Sequence, residues 1–170
     1  IFIFMSNFLP EGYEPPKSVS FYTKFEDGEK TKLRILESGL DDRNCITGYE
    51  YFEEMDDGKK KPVRSTKSMK NLDEKHFWAF KVYNHNLSIV QLCSIKQKGL
   101  MKALQAYFEN EDYGDPLGYD ITISRTGKGM DTEYTLVASP PKPLLANYED
   151  KNINWNNWIN GEDPLSEENI

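Results

Sequence analysis

The stretch that most constrains the fold runs from Tyr119 to Leu144 and reads YDITISRTGKGMDTEYTLVASPPKPL. Two alternating runs flank a glycine-rich turn, Gly127-Lys128-Gly129, which offers the positive φ that a tight strand reversal needs. The Pro-Pro-Lys-Pro run that follows cannot continue a strand ladder. The sequence therefore predicts a closing β-hairpin whose inward positions are Ile121, Ile123, Tyr134 and Leu136.

Strand patterns also precede this hairpin. Period-2 or aromatic-rich runs occupy Lys30–Glu37, Ile46–Glu54, His76–Tyr83 and Leu87–Ile95. Residues 59–75 read as a long basic loop with a short strand near Val63. In the third run, one face carries Trp78, Phe80 and Val82, and the other carries Phe77, Lys81 and Tyr83. Because lysine is rarely buried, we expect the first face to point into the core and the second to be wet.

One segment, Lys96 to Glu109, has the pattern of an amphipathic helix, with Leu100, Leu104 and Phe108 on one stripe. Strands, one helix and a closing hairpin follow one another in the order of an OB-fold, a small Greek-key β-barrel that commonly binds single-stranded nucleic acid. We therefore predict an all-β domain with one helix, folded as an OB-fold over residues 20–144. Residues 1–19 are expected to be an irregular lead-in, and residues 145–170 a flexible, disordered acidic tail.

The residues ahead of Met5, Ile1–Phe4, have neither the basic start nor the length of a signal peptide. They are read either as a leader foreign to the fold or as an extra edge strand. The two cysteines, Cys45 and Cys93, have no paired metal spacing, with or without the two histidines. No metal or other cofactor is therefore expected, and two unpaired thiols fit a reducing cytoplasm. The sequence has no run of 18 apolar residues, so it predicts no membrane-spanning helix.

Charge is unevenly distributed along the chain, whose net charge is −7. The segment Lys59–Lys81 has only two acids, Asp73 and Glu74, against eight bases: Lys59, Lys60, Lys61, Arg64, Lys67, Lys70, Lys75 and Lys81. Beyond residue 144 one base, Lys151, faces six acids: Glu149, Asp150, Glu162, Asp163, Glu167 and Glu168. A basic middle and an acidic end are compatible with a nucleic-acid binder despite the negative total.

Three groups of motifs resemble one known family in the same order along the chain. They are Lys32-Leu33-Arg34-Ile35-Leu36, then Phe77-Trp78-Ala79-Phe80 with the helix Lys98–Leu104, and finally Tyr119-Asp120-Ile121 through Asp131-Thr132-Glu133-Tyr134 to the Pro-Pro-Lys-Pro-Leu close. This pattern, over about residues 20–145, is similar to the OB-fold single-stranded-DNA-binding proteins of tailed bacteriophages. The resemblance implies a protein that coats replication intermediates and carries an acidic tail that contacts replication proteins and competes with DNA for the groove.

Single-strand binding requires cations that follow the phosphates and flat rings on which bases stack. The residues predicted to bind DNA are Lys32, Arg34, Tyr49, Tyr51, Lys59, Lys60, Lys61, Arg64, Lys67, Phe77, Lys81 and Tyr83. The residues predicted to contact partners are Glu162, Asp163, Glu167 and Glu168. The alternatives are rings that close the core, lysines that solvate a loop and a tail that only solubilises. Trp155 and Trp158 either pack back on the barrel or serve as a protein contact, a dimer latch or part of a disordered tail.

The sequence gives little indication of an enzyme. The sequence lacks a P-loop, HExxH and GxSxG, and its acidic pairs (Asp41-Asp42, Glu53-Glu54 and Asp56-Asp57) lie near turn signals, where acids face water. We therefore predict a non-enzymatic monomer or homodimer that binds and protects single-stranded DNA during phage replication and recombination, in the cytoplasm of a bacterial host. The rivals are an RNA- or protein-binding module on the same fold and a virion or structural protein.

Overall fold

The computed structural model describes residues 7–15 and 18–166. The expectations for Ile1–Phe4, Glu167 and Glu168 fall outside these ranges. Within them lie two α-helices, α1 (Lys98–Phe108) and α2 (Trp155–Ile159), and two single 3₁₀ turns at Pro116–Gly118 and Gly129–Asp131. The strands of the same ranges are β1 (Lys30–Ile35), β2 (Ile46–Glu54), β3 (Lys60–Ser65), β4 (Lys75–Asn84), β5 (Ile89–Ile95), β6 (Asp120–Thr126) and β7 (Glu133–Ala138).

All strand pairs in these ranges are antiparallel, in the order β3-β2-β4-β1-β6-β7, with β5 on the other edge of β4. β4 is the centre of the sheet. Its first half pairs with β2, with Ile46 opposite Ala79, and its second half pairs with β1, with Ile35 opposite Val82. The prediction of an all-β chain with one helix is confirmed at the coarse level, since the described residues form mainly antiparallel sheet with few helices. The five-residue helix α2 was not predicted.

The main core lies between the inward faces of the strands and α1. Phe80 and Val82 of β4 meet Leu33 of β1 and Ile121 of β6, and Leu100 and Leu104 of α1 close one side. These side chains alternate along each strand because successive strand residues point to opposite faces. Each such buried side chain contributes roughly 1.5–3 kcal/mol of transfer free energy. The predicted inward set on β4 is confirmed for Phe80 and Val82, while Trp78 is half-buried at the margin.

The turn of the β6–β7 hairpin requires glycine, as predicted. Gly127 has φ +88°, and a Cβ added there would lie 2.1 Å from the Asp131 carbonyl oxygen. The amide of Gly127 donates to the carboxylate of Asp27, 2.8 Å away, which holds the turn against the residues ahead of β1. The register then places Ile123 opposite Leu136.

A second core forms on the outward face of β4, where the sequence predicted solvent. Phe77 and Ala79 pack with Ile153, Trp155 and Trp158, all of which are buried. Residues 144–159, called the strap here, therefore lie along the sheet, and α2 fixes their end. The expectation of a flexible tail from residue 145 does not hold for the described part, because the two tryptophans have apolar partners on β4. The alternative in which Trp155 and Trp158 pack back on the fold is confirmed.

Candidate nucleic-acid interface

The outward face of β4 carries the predicted alternation of ring, cation and ring, but the strap covers it. Phe77, Lys81 and Tyr83 share that face and are 0%, 5% and 4% exposed. The indole of Trp158 meets Phe77 edge to face with centroids 5.1 Å apart, and Tyr148 lies over Tyr83 at 5.0 Å and 30°. The predicted exposure of this platform (Phe77, Lys81 and Tyr83) was wrong, because the residues that bury it are about 65 to 80 positions away in the sequence.

Lys81 is paired with a carboxylate of the strap. Its Nζ lies 2.6 Å from Oδ1 of Asp150, whose side chain is mostly exposed. Burial raises the pKa of Asp150, but the hydrogen bond and charge of Lys81, together with the Lys151 amide, outweigh burial and lower that pKa overall. Burial, helped by the nearby acids Asp150 and Glu37, raises the pKa of the Tyr148 phenol. At neutral pH the strap thus places a neutral ring and an anion on the platform.

On β1 the two predicted cations differ. Arg34 is buried: Nε donates to Oδ1 of Asp120 at 2.9 Å, and a terminal nitrogen donates to the Lys142 carbonyl at 2.9 Å. A further contact of 3.4 Å joins it to the Leu117 carbonyl. Arg34 is therefore not available to a phosphate, because the chain after the closing hairpin covers its face of β1. Lys32 is 41% exposed and stays a candidate.

The β2–β3 hairpin holds most of the remaining predicted residues. Tyr49 and Tyr51 are half-buried, and the Tyr49 ring lies 5.0 Å from that of His76. Arg64, in contrast, is nearly covered, since it donates to Glu50 at 2.7 Å and to the Trp158 carbonyl at 2.6 Å and lies 4.1 Å from the centroid of the Trp158 ring. It anchors α2 and is not free for phosphate. The lysines at 59, 60, 61 and 67 are exposed.

The basic character of this hairpin is weaker than its sequence suggests. Glu53 lies opposite Lys61 and Glu54 opposite Lys60 in the β2–β3 register. The tip also carries Asp56 and Asp57. These four acids precede the basic segment in the sequence, but the hairpin brings them opposite it. The lysines of β3 therefore do not form an isolated positive patch.

A cleft separates part of the strap from β1. It has a volume of about 660 Å³, and its lining includes Arg34, Lys81, Lys142, Tyr148 and Asp150. Ring and charged groups of both signs thus surround an open space beside the covered platform. Of the predicted partner-contact acids, Glu162 and Asp163 are exposed just after α2.

The sequence did not single out three residues of this region: Asp120, His85 and Lys142. Asp120 is buried and contacts Arg34, His85, Lys32 and Lys142. A carboxylate between Tyr119 and Ile121, at the start of a strand, could have been recognised, since a buried charge needs a partner. No sequence signal brings His85 and Lys142 to the same carboxylate, because their approach depends on the sheet register and on the path after β7.

Groups suited to covalent or metal chemistry are sparse. Burial raises the pKa of the Cys45 thiol to about 11 and that of the Cys93 thiol to about 12, so both are protonated at neutral pH. In the described ranges, His, Cys, Asp and Glu side chains do not gather in groups of three or more that could hold a metal ion. Nor does this part of the chain include a helix both long and apolar enough to cross a bilayer.

Comparison of the chain with protein-family models, with curated proteins and with solved structures gives no match.

Proposed function

We propose that this chain is an OB-fold protein that binds and protects single-stranded DNA without strong sequence preference. In this proposal five strands (β1, β4, β5, β6 and β7) make the partly open barrel. The β2–β3 hairpin is an insertion between β1 and β4. Support comes from the pairing of β1 with both β4 and β6 and from the position of α1 between β5 and β6. The resemblance to phage proteins suggests a role in replication and recombination of phage DNA within a bacterial host.

One observation carries the proposal: the strap presents to β4 a flat ring and a neighbouring anion, the two features by which proteins bind single strands. Tyr148 lays a flat ring on Tyr83, and two residues later Asp150 places an anion on Lys81. A single strand likewise offers a stacking base and an adjacent phosphate. A surface that accepts a ring and a carboxylate from its own chain is chemically suited to accept a base and a phosphate from another.

The mechanism follows from this similarity. DNA replaces residues 144–150 of the strap on Tyr83 and Lys81, while α2 stays anchored through Trp158. Stacking contributes roughly 1–3 kcal/mol per base and is indifferent to sequence, which fits a protector of single strands. The phosphate that replaces Asp150 releases counterions, so affinity falls with salt. The acidic residues after α2 then remain available to replication proteins.

The test is fluorescence anisotropy of a labelled oligo-dT strand at two salt concentrations, with duplex DNA and RNA as competitors. The wild-type chain is compared with Tyr148→Ser/Asp150→Asn, which removes the ring and the anion of the strap but keeps its tryptophans. We expect salt-sensitive binding that duplex DNA competes for poorly, and tighter binding by the variant. Deleting residues 146–170 is a poorer test, because it would also expose Phe77.

The matched control is Leu145→Ser/Glu149→Gln. It makes the same kinds of change at exposed neighbouring positions and alters the net charge equally. The strap proposal is wrong if both variants bind DNA alike. Preference for RNA would place the chain among RNA-binding modules, through recognition of the 2′-hydroxyl. No salt-sensitive binding of any nucleic acid, by wild type or variant, would favour a structural or protein-binding role.

A further inference from the structure

Four cationic or protonatable side chains converge on one carboxylate at the end of the cleft. Oδ1 of Asp120 lies 2.9 Å from Nε of Arg34 and 2.9 Å from Nε2 of His85. Oδ2 lies 3.7 Å from Nζ of Lys32 and 3.9 Å from Nζ of Lys142. The carboxylate itself is buried, so it is held below the surface on which the two ammonium groups end.

The charges of this cluster do not balance. Arg34 alone neutralises Asp120, with a short hydrogen bond in a buried position. The ammonium groups of Lys32 and Lys142 remain as excess positive charge, and their side chains are 41% and 57% exposed. Each ammonium has three donors, and its distance to Asp120 exceeds a normal hydrogen bond. Both lysines can therefore bind a second anion from solution while Asp120 stays paired.

Hydrogen bonds to the backbone hold the three segments that carry Lys32, His85 and Lys142. The Asn86 side chain receives a hydrogen bond from the Lys32 amide at 3.1 Å and donates to the Lys30 carbonyl at 2.8 Å. The amide of His85 donates to the Lys32 carbonyl at 2.9 Å. On the other side, the Lys142 amide donates a hydrogen bond to the Gly118 carbonyl at 3.0 Å. The side chains of Lys32, His85 and Lys142 thus meet on fixed backbone segments, which lowers the entropy lost on binding an anion.

We propose that Lys32 and Lys142, beside the ring of His85, form a binding site for a phosphate of single-stranded nucleic acid. The site lies next to the platform, because the His85 ring is 5.0 Å from that of Tyr83. A strand stacked on Tyr83 would therefore have a phosphate within reach of the two lysines. The acids of the adjoining cleft are Glu37 and Asp150, and Asp150 leaves with the strap. This proposal rests on the proposed function for the source of the phosphate and for the departure of Asp150.

The first experiment measures the salt dependence of oligo-dT binding by Lys32→Gln/Lys142→Gln. The control, Lys98→Gln/Lys102→Gln, removes two exposed lysines from α1 with the same change in net charge. On single strands the slope of log K against log salt falls by about 0.7 for each phosphate that the protein no longer neutralises. Because the site holds one phosphate, we expect the first variant to reduce the slope by about 0.7 and the affinity by about fivefold at 0.1 M salt. The control should stay within about twofold of wild type, since salt screens distant charges.

The second experiment separates the anion site from the function. Inorganic phosphate is titrated at constant pH and ionic strength while NMR follows the rings of the two histidines. We expect saturable shifts of His85 in the wild type, none of His76, and no His85 shift in Lys32→Gln/Lys142→Gln. The proposal is overturned if His85 does not respond to phosphate, or if oligo-dT binds both lysine variants with the wild-type slope. A His85 response without any oligo-dT binding would keep the anion site and overturn the proposed function alone.

Discussion

At the scale of single residues, Asp120 neutralises one of the positive charges around it and leaves the others exposed to solvent. Burial raises the pKa of its carboxyl, but hydrogen bonds from His85 and Arg34 and their charges outweigh burial, so the pKa is lowered overall. A carboxyl with a lowered folded pKa stabilises the protein above its unfolded pKa of about 4. That stabilisation is lost as pH falls through the folded pKa.

We expect Asp120→Asn to lower the free energy of unfolding at pH 7 by about 3–5 kcal/mol, because it leaves the buried guanidinium of Arg34 without a counter-charge. Urea unfolding measures the change. Asp42→Asn, which breaks an exposed pair with Arg43, should cost less than about 1 kcal/mol. The difference between wild type and Asp120→Asn should shrink below about pH 4, where the wild-type carboxyl is progressively protonated. Equal stability of the two proteins at pH 7 would contradict this account.

At the scale of elements, β4 is buried on both faces because the strap adds a second layer to the sheet. Trp158 is the centre of this contact, since it touches Phe77 on one side and Arg64 on another. The Asn154 side chain accepts from the Asn157 amide and so caps α2 at the point where the chain turns onto the sheet. The anchor of the strap therefore combines an apolar contact with a capped helical turn.

Trp158→Ala should cost about 3–5 kcal/mol of stability, the usual range for removing a fully buried aromatic side chain. Chemical denaturation followed by circular dichroism measures this loss. Leu145→Ala, at an exposed position of the same strap, should be within about 0.5 kcal/mol of wild type. A small effect of Trp158→Ala would mean that the strap is only loosely attached to β4.

A close approach between strands makes Gly48 of β2 sensitive to any side chain. A Cβ there would lie 2.6 Å from the Ser65 carbonyl oxygen and 2.7 Å from Cζ of Phe77. We expect Gly48→Ala to destabilise the protein by about 1–3 kcal/mol through overpacking. Gly99→Ala is the control: Gly99 lies in α1, a Cβ would meet no atom within 4 Å, and alanine favours helix. Thermal unfolding should show a lower Tm for Gly48→Ala and a higher Tm for Gly99→Ala than for wild type. An unchanged Tm of Gly48→Ala would contradict the packing described.

Local patterns predicted most of the elements, because strand alternation and helix periodicity are encoded within about ten residues. β2 has the predicted bounds, α1 lies within its predicted segment, and the closing hairpin turns at Gly127. The division of β4 into two faces was also correct. The exposure of its outer face was not, since the rule that lysine faces water fails when Asp150 supplies a partner 69 positions away.

At the scale of the whole molecule, the distribution of charge differs from its order in the sequence. The basic segment after residue 58 faces the acids of β2, whereas unbalanced lysines gather at Asp120 from β1 and from the chain after β7. Contacts between residues more than 100 positions apart, such as Arg34 with the Lys142 carbonyl, create this arrangement. Such contacts depend on the fold, so the candidate site could be predicted from the sequence only for Lys32, Lys81 and Tyr83.

The central claim is that single-stranded DNA and the strap occupy the same face of β4. NMR can measure it directly through the nuclear Overhauser effects between the Tyr83 and Tyr148 rings and between Phe77 and Trp158, recorded with and without oligo-dT. We expect saturating oligo-dT to abolish the Tyr83–Tyr148 effect and to leave the Phe77–Trp158 effect, because only the first part of the strap is displaced. Bound oligo-dT with both effects intact would place the DNA elsewhere and contradict the account.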